Sequence, residues 1–169
     1  MSYNITQALP HQFAAIQAIE RAANQLYPVA DLPAPFRNDT LSLAVLQEAQ
    51  QARRLWVAQY TDGTLVGFAL ADAYPQHAHL REVDVLPDFS RRGIGTALVQ
   101  TVVAWARTKG YPTLTLTTFH HLPWNAPFYQ RLGFEQLPVP VPKAELEALR
   151  QQEAEDLDLS KRVIMRLAL

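Results

Sequence analysis

Residues 80–95 read Leu80-Arg81-Glu82-Val83-Asp84-Val85-Leu86-Pro87-Asp88-Phe89-Ser90-Arg91-Arg92-Gly93-Ile94-Gly95. The first half has the look of a buried strand and stops at Pro87, which cannot continue a ladder. A turn over Ser90–Gly95 follows, with glycines at 93 and 95, and a helix begins at once. That helix carries Leu98, Val102 and Trp105 on one face. Backbone N–H groups in such a turn, added to those of a helix N-terminus, make a concave anion site. Glycine lets the backbone come close to a bulky diphosphate, and Arg91 and Arg92 place positive charge at the rim. A phosphorylated ligand is therefore expected here, although a tight glycine turn that binds nothing uses the same residues. A nucleotide P-loop would need Gly-Lys-Ser/Thr, whereas Gly95 is followed by Thr96-Ala97. A dinucleotide fingerprint would need a third glycine, and it is missing.

Outward from this segment, the periodicities alternate between strand and helix. Residues 3–8 form a short strand, and after Pro10 a helical stripe runs through Phe13, Ile16, Ile19, Ala23 and Leu26. Pro28, Pro33 and Pro35 mark 28–39 as a loop, and 41–54 as a second helix. Strands over 55–60 and 65–74 flank Thr61-Asp62-Gly63-Thr64, where Asp-Gly signals a hairpin. A third run covers 78–86. Gly110 and Pro112 close the helix after the glycine turn. Residues 113–118 alternate as a strand, 126–132 form a short helix ended by Gly133, and 134–142 form an extended edge segment. Residues 143–157 are helix-like, and 161–169 make a final strand. The interleaving predicts a layered α/β or α+β domain around one mixed sheet, a single domain over residues 1–169.

Composition limits the partners. The 169 residues are 49% hydrophobic and 18% charged, with net charge −1. No long run of one sign is present, which argues against broad nucleic-acid or membrane-surface binding. With no cysteine, disulfides, thiolate zinc sites and cysteine nucleophiles are excluded. Met1-Ser2-Tyr3-Asn4 has no secretory signal pattern, and no apolar segment approaches the length of a membrane span. Cytoplasm is the expected location.

The chain resembles the GNAT superfamily of N-acetyltransferases. The resemblance rests on Val83-Asp84-Val85-Leu86-Pro87, on Arg91-Arg92-Gly93-Ile94-Gly95-Thr96-Ala97-Leu98, and on Asn125-Ala126-Pro127-Phe128-Tyr129-Gln130-Arg131-Leu132-Gly133-Phe134. One departure is Ser90, where the family's pyrophosphate motif usually opens with Gln or Arg. The resemblance implies a mostly antiparallel sheet of about seven strands flanked by helices, splayed between strands four and five. It implies acetyl-CoA as co-substrate, with no metal and an amine as acceptor. The pyrophosphate would sit on the amides of Arg91, Arg92, Gly93, Ile94, Gly95 and Thr96. The pantetheine arm would pair beside Val83, Asp84 and Val85, with a free N–H near Val83 aimed at the thioester oxygen. Asn125 and Phe128 would contact the cofactor arm. Tyr129 would protonate the departing thiolate. The family also admits a homodimer, with the C-terminal strand as a participant.

Other readings of the same residues stand beside these. Tyr129 packs as a helix residue with Phe128 and Leu132. Asn125 precedes a short helix with Pro127 in its first turn, the place of an N-cap. Trp124 and Pro123 shape an acceptor pocket or anchor a loop. For the base, His79, Glu82 and Asp84 are the candidates, beside the plain readings of an exposed histidine and a salt-bridged glutamate, and Arg81 is permanently charged. Strand alternation puts His79 and Arg81 on one face and Glu82 and Asp84 on the other, unless a bulge intervenes. A proton path through water needs none of these. His120-His121 lacks a third metal ligand at sensible spacing. Glu145, Glu147, Glu153, Glu155, Asp156 and Asp158 read as a solvated acidic face, or as the rim of a site for a cationic amine. A non-catalytic acyl-CoA-binding module on the same fold is the alternative to an enzyme.

Overall fold

The computed structural model describes residues 2–154 and 157–169. Two compact units emerge: one holds Met1–Ala73 with Leu80–Trp105, the other Tyr74–His79 with Ala106–Leu169. Strands and helices alternate along the chain in an α/β arrangement, as the sequence predicts.

In the first unit, β1 (Tyr3–Gln7), β2 (Leu55–Tyr60), β3 (Leu65–Ala73) and β4 (Ala78–Val85) are hydrogen-bonded neighbours in that order. β1–β2 and β2–β3 are antiparallel. The expected hairpin joins β2 and β3: Asp62 Oδ1 accepts from the Thr64 amide at 2.9 Å and Gly63 takes φ +92°. Helices α1 (Phe13–Asn24) and α2 (Leu43–Gln51) cover the sheet. Ile16, Ile19, Leu46 and Ala49 from these helices bury against Leu55, Val57, Phe68 and Leu70. Full burial of a side chain such as Phe68 contributes roughly 1.5–3 kcal/mol.

Helix α2 is shorter than the predicted span of 41–54. Its start is set by Ser42, whose hydroxyl accepts from the Val45 amide at 3.2 Å. Its end is set by Arg53, which adopts φ +56°. Arg54 then turns its guanidinium onto the Ala71 carbonyl, Asp72 and Glu48.

In the second unit, β5 (Thr113–Phe119) pairs antiparallel with β7 (Arg162–Ala168), and β7 pairs with the two-residue β6 (Glu135–Gln136). The first residues of β4 join this unit through a parallel ladder, Ala78↔Leu114 and His79↔Thr115. Leu80 to Val85 take no part in that ladder. The strand order is β1-β2-β3-β4-β5-β7-β6. The β2–β3 register shifts between Ala58 and Gln59, whose partners are Gly67 and Leu65, so Val66 is an extra residue on β3. Helices α4 (Ala126–Arg131) and α5 (Ala144–Glu153) complete the second unit, and Val141, Leu146 and Ile164 form a small core there. Helix α3 (Ile94–Thr108) starts in the first unit and ends in the second.

Glu145 and Asp158 are exposed, as expected of a solvated face, but Glu147 and Glu153 depart from it. Glu147 accepts from Arg150 at 2.5 and 3.1 Å and from the Val141 amide at 3.0 Å. These bonds, the Arg150 one foremost, bring its carboxyl down to about 2. Glu153 binds His79, as set out below, and Asp158 accepts from the Ser160 amide at 3.0 Å. Glu155 and Asp156 lie outside the described residues.

Candidate active site

β4 is held tightly against β3 where it approaches the glycine turn. The Leu86 amide donates to the Val66 carbonyl at 2.8 Å. One residue on, a Cβ on Gly67 would stand 2.8 Å from the Asp84 carbonyl oxygen. The strand then ends in a short 3-10 turn, Pro87–Phe89, whose last bond runs from the Ser90 amide to the Pro87 carbonyl.

From Arg91 to Thr96 the main chain presents donors. Among the described residues, none of these six amides has a hydrogen-bond acceptor within the protein; the first one satisfied is Ala97, bonded to the Gly93 carbonyl at 3.0 Å. Gly93 takes φ +80°, and a Cβ there would meet nothing within 4 Å, so the space above it is open. Arg91 also takes a positive φ, +59°. The turn thus uses two left-handed residues, of which sequence reasoning named only the glycine. The two arginines differ. Arg92 donates to the Asp88 carbonyl at 3.0 Å and lies 5.0 Å over the Phe89 ring, while Arg91 is exposed. A run of unsatisfied amides at the start of a 15-residue helix suits a diphosphate.

On β4, Glu82, Val83 and Val85 are half-buried and Asp84 is buried. Asp84 Oδ2 has no hydrogen-bond partner, and burial followed by the charge of Glu20 pushes its carboxyl well above the usual range. Glu20, on α1, accepts from the Leu41 amide at 2.9 Å, and burial raises it to about 7. No sequence pattern pointed to this pair, because Glu20 is acidic on an otherwise apolar stripe. Arg81 is drawn to Asp72 at 3.6 Å.

His79 is fully buried in the second unit. Its Nδ1 lies 2.8 Å from Thr115 Oγ1 and its Nε2 lies 2.9 Å from Glu153 Oε1. Glu153 also accepts from the Thr117 hydroxyl. Burial would raise its carboxyl, but the bonds from His79 and Thr117 and the charges of His79 and Arg162 bring it below the ordinary value. Both ring nitrogens of His79 are therefore engaged.

Asn125 precedes α4, but its side chain does not cap the helix. Its Oδ1 instead accepts from the Thr118 hydroxyl at 2.5 Å and from the Phe119 amide at 3.4 Å, tying the start of α4 to the end of β5. The capping reading is thereby corrected: φ −108° and ψ −118° at Asn125 belong to a turned backbone, and only its carbonyl receives the first helical amides. Tyr129 and Phe128 are half-buried on α4, with the Tyr129 ring edge-on to Phe128 at 5.0 Å and to Phe134 at 5.7 Å. His120 and His121 are exposed, their rings 5.0 Å apart, and no metal-binding group of three or more acidic, His or Cys residues occurs among the described residues.

Residues 16–134 match the family model of the acetyltransferase (GNAT) family, a span that contains the amide run, β4 and α4. The chain belongs to the GNAT family. A curated relative, an uncharacterized N-acetyltransferase MJ1207 from Methanocaldococcus jannaschii, is 34% identical over 82 residues, 44% of this chain and 36% of that protein. The chain thus matches about a third of that relative's length. The GNAT chain also aligns over 98% of its length with 99% of Rv2747 from Mycobacterium tuberculosis, solved with CoA, at 26% identity and TM-score 0.69. At 18% identity it shares the fold of the PaiA N-acetyltransferase from Thermoplasma acidophilum, solved with coenzyme A, over 100% of both chains with TM-score 0.76. Among the described residues of this GNAT protein, no helix is long and apolar enough to cross a membrane.

Proposed function

We propose that this protein is an acetyl-CoA-dependent N-acetyltransferase in which an acceptor amine attacks the thioester directly. The observation that carries the reading is the run of unsatisfied amides from Arg91 to Thr96 on a family-matched segment. These amides fit a diphosphate, and the open space above Gly93 admits it. Acetyl-CoA supplies the acetyl group already activated as a thioester.

The chain's own groups then meet three demands. An alkylammonium with a pKa of about 10.4 must lose its proton before it attacks. Glu82, half-buried on β4 beside the main chain assigned to the thioester arm, takes first place for that role. As the nitrogen–carbon bond forms, the main-chain N–H of Val83 offers a donor to the negative charge developing on the thioester oxygen. As the carbon–sulfur bond breaks, the electron pair goes to sulfur and Tyr129 gives it a proton. Val83, Asp84 and Val85 hold the arm through their main chain, and Asn125 and Phe128 act as further arm contacts by analogy with the family. The acceptor class is a primary amine, of a small molecule or of a peptide.

A thiol-release assay against a varied amine panel tests this. Release of CoA thiol that depends on an amine supports transfer. Tight CoA binding with no transfer to any amine would instead make the chain a non-catalytic acyl-CoA-binding module.

A further inference from the structure

The second unit has a partly open cavity of about 210 Å3 that the acetyl-transfer reading does not use. Its floor is Thr113 and Thr115 of β5 with Arg166 of β7. Thr115 and Arg166 are register partners, so their side chains leave the same face of the sheet. Leu137, Val141 and Leu146 give it apolar lining, the last two being members of the buried cluster with Ile164.

One lining residue needs explaining. His77 is 8% exposed, yet its Nε2 is buried and has no hydrogen-bond partner. The ring is fixed by stacking on Tyr74, with centroids 4.9 Å apart and planes at 18°. Burial, followed by the charge of neighbouring His79, holds its pKa below the ordinary value, and in the tautomer protonated at Nε2 the neutral ring has one N–H to give. A buried polar atom without a partner costs stability unless a ligand supplies one.

The charge of the lining indicates what that ligand is. Lys143 and Arg166 line the cavity, and neither is ion-paired among the described residues. Glu145 lines it too, which leaves a net charge of one positive. That balance suits a monoanion better than a dianion. At about 210 Å3 the cavity is smaller than the roughly 300–1,000 Å3 of ordinary drug-sized ligand pockets, which suits a small guest.

We propose that this cavity binds a small organic monocarboxylate with a short apolar body. The carboxylate accepts from His77 Nε2 and pairs with Arg166 and Lys143, within reach of the Thr113 hydroxyl. The apolar body lies on Leu137, Val141 and Leu146. Thr115 serves as wall only, since its hydroxyl is committed to His79 at 2.8 Å.

The probe is isocaproate, titrated into the whole protein by calorimetry and followed by thermal unfolding, with isocaproamide and inorganic phosphate as comparators. Isocaproate is expected to bind one to one and raise Tm. The amide and phosphate should bind at least about tenfold more weakly. His77→Phe, which keeps a ring against Tyr74, and Arg166→Gln should each weaken isocaproate binding by about tenfold while leaving CoA binding unchanged. No isocaproate binding to the folded wild type would overturn the proposal. So would equal binding of acid and amide, or unchanged binding in both variants.

Discussion

Gly67 on β3 lies so close to β4 that a Cβ at this position would stand 2.8 Å from the main-chain oxygen of Asp84. Leu98 Cδ1 and Val85 Cγ2 would each be 3.2 Å away. A side chain at the rim of such a contact can swing aside; a strand carbonyl cannot without moving the strand. Gly67→Ala should therefore displace β4 at the residues we assign to the thioester arm. The expected cost is about 1–3 kcal/mol of stability, read as a lower Tm, together with weaker CoA binding by calorimetry. Unchanged Tm and affinity would show that β4 yields without consequence.

The carboxyls of Glu20 and Asp84 give stability a pH dependence. Both are raised, Glu20 to about 7, by burial first. Between the unfolded carboxylate value and the folded one, unfolding releases a proton that the native state retains. Stability is thus highest below the unfolded pKa and falls as pH rises through about 7. Glu20→Gln keeps an acceptor for the Leu41 amide and removes the titration. Urea unfolding at pH 5 and pH 8 should show the variant gaining on the wild type at the higher pH, by on the order of 1–3 kcal/mol. A gain that is equal at both pH values would contradict this assignment.

Glu153 reaches His79 across 74 positions of sequence. Glu153→Ala leaves His79 Nε2 buried without an acceptor or donor, at a cost of about 1–3 kcal/mol. Because His79 is placed second to Glu82 as base, turnover per folded molecule should survive this change better than it survives Glu82→Gln. The comparison is kcat measured well below each variant's Tm. Equal losses of kcat in the two variants would return His79 to the proton path.

These interactions mark where sequence reading stops. Strand and helix runs and the Asp-Gly hairpin follow from periodicity and turn residues, which act over a few positions, whereas the seven-stranded sheet was expected from the family resemblance alone. The amide cradle was legible for the same reason, since strand, glycine turn and helix are contiguous from Leu80 to Leu98. Arg91 was not, because a left-handed arginine carries no composition signal. Asn125 stood in the right place for a cap, and Thr118, seven residues earlier, took its oxygen instead. Glu153 looked like one of several solvated acids until the fold placed it beside a buried imidazole. Gly67 and Glu20 each depend on neighbours brought close only by tertiary packing.

Tyr129 carries the chemical claim of the second unit. Its ring packs on Phe128 and Phe134, and Tyr129→Phe preserves that packing while removing the proton. The expected result is unchanged CoA affinity, with kcat per folded molecule reduced by about 10²-fold or more. A variant with wild-type kcat would remove Tyr129 from the proton path.

The central claim is that the amides from Arg91 to Thr96 receive the diphosphate of CoA. Hydrogen–deuterium exchange resolved to single amides, with and without saturating CoA, tests it directly. The account predicts fast exchange of these amides in the free protein and strong protection when CoA is bound. CoA binding that leaves them exchanging as before would contradict it.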